Sequence, residues 1–159
     1  MLNILTKILG GNKSEKDVKK IEPQIERINK FFDQYQNLSN DELRGKTNEF
    51  KQRIKQYLSD IDEIIATKKS EAEQLPEEEM QVRDTLYKEV DELKKDRDKK
   101  IEEILLEILP EAFAVVKETA RRFKENTELV STATQLDRDL SVTKDYIKID
   151  GDKSVFQNT

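Results

Sequence analysis

LSNDELRGKTNEFKQRI, residues 38–54, reads as the start of a long amphipathic helix. Ser39 and Glu42 have the S-x-x-E spacing of a capping box, in which the hydroxyl accepts from the Glu42 amide and the carboxylate accepts from the Ser39 amide. Leu38, just before the cap, and Leu43, the fourth helical residue, are placed for a hydrophobic staple. Asp41 and Glu42 add negative charge where the helix dipole is positive. From Leu43 the apolar stripe continues through Thr47, Phe50, Ile54, Tyr57 or Leu58, Ile61 and Ile65, at the spacings of three and four that define one helical face.

Downstream, EQLPEEE (73–79) marks a connection. Pro76 suits the opening of a helix, and Glu77, Glu78 and Glu79 suit its first turn. The next stripe is Val82, Leu86, Val90, Leu93, Ile101, Ile104 and Ile108, interrupted by the polar run KKDRDKK (94–100). Two such helices joined by a short turn predict an antiparallel hairpin. Pro110 then predicts a break or kink before the most apolar helical stretch, where Phe113, Val116, Ala120 and Phe123 lie along one side.

Upstream, Val18, Ile21, Ile25, Ile28, Phe32 and Tyr35 form a further stripe, with Ser14 as its expected cap and Pro23 as an expected kink or late start. MLNILTKIL (1–9) is a short amphipathic helix ended by Gly10 and Gly11, and its broken apolar run does not fit a signal peptide. At the other end, TATQ (132–135) is placed to cap a short helix ending near Leu140. YIKIDGDKSVFQ (146–157) then reads as two short strands around Asp150-Gly151. The predicted fold is mainly α, with elongated helices, an antiparallel helical hairpin and a short C-terminal β-hairpin. Its expected segments are 1–37, 38–123 and 124–159.

Composition narrows the chemistry. Of 159 residues, 40% are charged and 35% apolar, with four Gly and three Pro, a mix that favours long solvated helices. The net charge of −5 argues against a nucleic-acid partner. There is no Cys and no His, which removes thiolate chemistry, His-based acid–base catalysis and the usual zinc ligands. No apolar run approaches the roughly 20 residues of a membrane-spanning helix. The cluster Glu77-Glu78-Glu79 has no nucleophile, base or phosphate cradle beside it, so helix-start electrostatics accounts for it better than catalysis. Tyr57, Tyr87 and Tyr146 lack the basic groove that base-stacking platforms require, and read as packing residues.

Taken together and in this order, LSNDELRGKTNEFKQRI (38–54) and LPEAFAVVKETARR (109–122), behind MLNILTKILGG (1–11), resemble the start of the SecA family, the ATP-driven motors of bacterial preprotein translocation. The resemblance covers residues 1–57 and 104–123. It departs from the family pattern at 58–103, which looks like an insertion that lengthens the hairpin; its sixteen acids and nine bases suit a solvated spacer, with a docking arm as the alternative. None of Gly10, Gly11, Gly45 and Gly151 opens a G-x-x-x-x-G-K-[ST] phosphate loop.

The resemblance therefore implies a non-catalytic N-terminal portion of a SecA-type motor. No cofactor is expected in this chain, while ATP and magnesium are expected for the parent. By the same resemblance, Leu2, Ile4, Leu5, Lys7, Ile8 and Leu9 are the candidate contacts to the translocation channel and to anionic phospholipid. Preprotein is the implied partner of the parent, and a homodimer a further one. The implied location is cytoplasmic, peripheral to the inner face of the plasma membrane. From the residues alone, the alternative is a free-standing helical scaffold or coiled-coil interaction protein.

Overall fold

The computed structural model describes residues 11–158, with side chains from Asp17 to Asn158. Among them run helix α1 (Gly11–Tyr35), helix α2 (Asn40–Gln74), a 3-10 turn (Glu77–Glu79) and helix α3 (Met80–Glu125), followed by strand β1 (Glu128–Thr132), helix α4 (Gln135–Ser141) and strands β2 (Ile147–Asp150) and β3 (Lys153–Gln157). The fold is mainly α with a small antiparallel sheet. The described parts of Met1–Lys46 and Pro110–Thr159 form one compact unit, and Thr47–Leu109 forms the other.

The Thr47–Leu109 unit is an antiparallel helical hairpin, shorter than the expected 38–123 segment. Leu58, Ile61 and Ile65 of α2 and Val90 of α3 are buried in one cluster, with Ile54, Leu93 and Ile101 packed against it. Each such side chain taken out of water contributes about 1.5–3 kcal/mol. Polar pairs along the flanks fix the antiparallel register: Arg53 Nη2 to Glu107 Oε1 at 2.9 Å, Tyr57 Oη to Glu103 Oε2 at 2.9 Å, Arg97 Nε to Asp62 Oδ1 at 2.5 Å and Lys68 Nζ to Glu89 Oε2 at 2.5 Å. As the α2 partner advances along the sequence, the α3 partner retreats. The Lys94–Lys100 run is a solvated face, where Lys94, Lys95 and Lys99 pair three residues back with Asp91, Glu92 and Asp96. Pro76 precedes the 3-10 turn of Glu77–Glu79 in extended conformation, and Arg83 donates back to the Leu75 carbonyl.

Three expectations based on local signals give way: a break at Pro110, a late helix start at Pro23 and a cap at Ser14. Pro110 lies inside α3, and the helix continues through it. Its missing N–H removes one helical hydrogen bond, but its ring is fully buried, so packing offsets the loss. Pro23 likewise lies within α1. Helix α1 is already formed at Gly11, so Ser14 is internal to it and does not cap its start.

In the other unit, Tyr35, Leu43 and Ala114 are buried together, with Ile28, Phe31, Phe32, Leu38 and Val115 against them. Val18, Ile21 and Ile25, earlier on the α1 stripe, are exposed. The C-terminal pair of strands is present, with Gly151 at φ 58° supplying the positive φ that the first position of a two-residue hairpin loop demands. β1 was not foreseen. It pairs antiparallel with β3, giving the order β1-β3-β2. A third strand supplies the support that a lone hairpin lacks in water. The register puts Ser131, Ser154 and Ile149 side by side on one face, and Leu129, Phe156 and Ile147 beside them.

Candidate functional site

Polar contacts concentrate where α1 ends, α2 begins and α3 ends, all within one unit. The α1–α2 turn comes first. Ser39 N donates to Glu42 Oε2 at 2.7 Å, and Glu42 N donates to Ser39 Oγ at 3.2 Å, the reciprocal pair of a capping box. The Ser39 carbonyl accepts the first helical bond, from Leu43 N at 3.0 Å. The Ser39 amide, with help from its hydroxyl, holds the Glu42 carboxyl below its ordinary value. Leu38 and Leu43 pack into the same small core.

A buried acid on α3 organises the second contact. Glu118 is fully buried. It accepts from Arg121 through a two-pronged contact, Nε to Oε2 at 2.8 Å and Nη2 to Oε1 at 2.7 Å, and from Arg122 Nε at 2.7 Å. These guanidinium bonds lower its pKa despite burial. Arg122 then reaches out of its own helix. Its Nη2 donates to the carbonyls of Tyr35 (3.1 Å) and Leu38 (2.6 Å), and its Nη1 to Asn40 Oδ1 (2.7 Å). The Tyr35 carbonyl at the end of α1, which also accepts from Leu38 N at 3.1 Å, and the Leu38 carbonyl in the turn are thus held by a cation, which the negative end of the helix dipole also favours.

Helix α2 carries the third contact. Arg44 donates to Asp137 from Nη1 (2.7 Å) and Nη2 (2.6 Å), and to Thr134 Oγ1 at 3.2 Å. Asp137 is 1% exposed and completes the capping box of α4 with Thr134. Ser154 Oγ lies 3.3 Å from Asp137 Oδ2 and 3.0 Å from Ser131 Oγ. The Arg44 guanidinium, with help from Thr134, holds the Asp137 carboxyl well below the usual carboxylate range. Beside it, Asn40 Nδ2 donates to Val130 O at 2.8 Å, and Asp41 accepts from Thr132 N at 2.7 Å and Thr132 Oγ1 at 2.8 Å. These two side chains occupy the outer hydrogen-bonding positions of edge strand β1, where an unpaired backbone invites association. Asn40 touches both Arg122 and β1, and so joins the two clusters.

This arrangement positions elements and is unsuited to proton transfer. Glu118 and Asp137 are both held as carboxylates by guanidinium partners, far from the near-neutral pKa that a general acid or base needs. Among the described residues, no group of three or more acidic side chains is arranged to hold a metal ion. No described helix is long and apolar enough to cross a membrane. The sequence contains no G-x-x-x-x-G-K-[ST] phosphate loop. Leu2, Ile4, Leu5, Lys7, Ile8 and Leu9 lie outside the described residues.

Sequence reasoning singled out Leu38, Ser39, Glu42 and Leu43 but missed Asn40, Arg44, Glu118, Arg122 and Asp137. The Glu118–Arg121 and Glu118–Arg122 spacings of three and four were visible as helical ion pairs. What hid their importance was the apolar line beside them. Phe113, Val116 and Phe123 are exposed by 54%, 66% and 38%, whereas Ala114, Glu118 and Arg122 face inward.

The SecA DEAD-like domain family matches residues 5–136. The protein translocase subunit SecA of Flavobacterium psychrophilum is 46% identical over 158 residues, covering 99% of this chain and 14% of that protein. Those of Parabacteroides distasonis and Amoebophilus asiaticus are 41% and 42% identical, over 97% and 99% of this chain and 13% and 14% of theirs. The chain therefore spans about one seventh of the length of these relatives. No solved structure matches.

Proposed function

The chain belongs to the SecA family, and from that premise we propose that it is a non-catalytic portion of a SecA-type, ATP-driven preprotein translocase, serving as a scaffold for the motor. The observation that carries this reading is the 46% identity to a protein translocase subunit over 99% of the chain. The polar clusters support the scaffold role, since they tie the start of α2 to β1 and to α4 and the end of α3 to the α1–α2 turn. ATP and magnesium are assigned to the remainder of a parent-length protein. So are preprotein handling and any pairing into a homodimer.

Within the same proposal, Leu2, Ile4, Leu5, Ile8 and Leu9 supply apolar side chains, and Lys7 a charge, for contact with anionic phospholipid and the translocation channel at the cytoplasmic face of the membrane. The composition of MLNILTKIL supports this, since a basic amphipathic segment gains from both apolar burial and attraction to anionic headgroups. Residues 58–103 of the hairpin, as a solvated spacer, are assigned no chemistry.

The test of the main proposal is genetic. Residues 1–159 replace the homologous stretch of the Flavobacterium psychrophilum protein, and the chimera is expressed in cells of that organism depleted of their own subunit. Restored growth and export are expected. A stably accumulated chimera that restores neither overturns the proposal.

A further inference from the structure

We draw no further inference here: the strongest candidate, the exposed apolar pair Phe113 and Val116 on α3, is an unpartnered helix face, and nothing in the structure shows what covers it.

Discussion

Arg44 and Asp137, 93 residues apart in sequence, meet through two short hydrogen bonds of 2.7 and 2.6 Å. The contact joins the start of α2 to the cap of α4, and the acid is almost completely buried. Removing one partner of a buried pair leaves the other uncompensated and costs about 3–5 kcal/mol; the partial exposure of Arg44 puts the expected cost at the lower end. Asp137→Ala is therefore expected to destabilise the chain by about 3 kcal/mol. Urea denaturation followed by circular dichroism measures it, and a loss below about 0.5 kcal/mol, the range of ordinary surface changes, refutes the structural role.

Acid should weaken the same unit. The pKa values of Asp137 and Glu118 are depressed in the folded chain. Their contribution to stability is therefore complete above the unfolded carboxylate values of about 4, and is lost as pH falls below them toward the depressed folded values. Stability measured between pH 7 and pH 2 should decline below about pH 4, and this decline should be shallower in Asp137→Asn. A wild-type profile identical to that of the Asn variant contradicts the linkage.

The joining role of Asn40 gives a local readout. Asn40→Ala removes one bond to Arg122 and one to Val130, at an expected cost of about 1–3 kcal/mol. Asp41→Ala frees the Thr132 amide. Hydrogen exchange at Thr132 should then accelerate, while exchange at Val90, in the hairpin core, stays slow. Unchanged Thr132 exchange would show that the side chain does not protect the strand edge.

In the hairpin, burial and surface charge should separate cleanly. Leu58→Ala removes a side chain that is 3% exposed and should cost about 2–5 kcal/mol. Lys99→Ala breaks an exposed pair with Asp96 and should leave the melting temperature nearly unchanged. Thermal melts of the two variants decide this, and comparable losses would mean that the solvated face is structural.

The parts of the fold that were legible in sequence are those fixed by neighbours in the chain. The Ser39 cap needs Glu42 three residues on, and the β2–β3 loop needs Gly151. The hairpin stripe from Leu58 to Ile65 repeats at helical spacing because one continuous face meets one partner. β1 was hidden because ELVST becomes a strand by pairing with residues 153–157 and by receiving side chains from Asn40 and Asp41. Pro110 misled for a related reason: its local preference to interrupt a helix is outweighed by burial that no neighbouring residue announces. The polar clusters were the least legible. Whether Glu118 faces water or two arginines depends on which side of α3 turns inward, and Phe113 and Val116 pointed to the other side.

The central claim, that this chain supplies the scaffold of a SecA-type translocase, is tested most directly by purifying the chimera with the Flavobacterium psychrophilum protein and measuring ATP-dependent preprotein transport into inverted membrane vesicles. The account predicts transport and preprotein-stimulated ATP hydrolysis by the chimera, and no hydrolysis by residues 1–159 alone. A folded chimera that hydrolyses ATP but moves no preprotein, or mutation-sensitive ATP turnover by residues 1–159 alone, would contradict it.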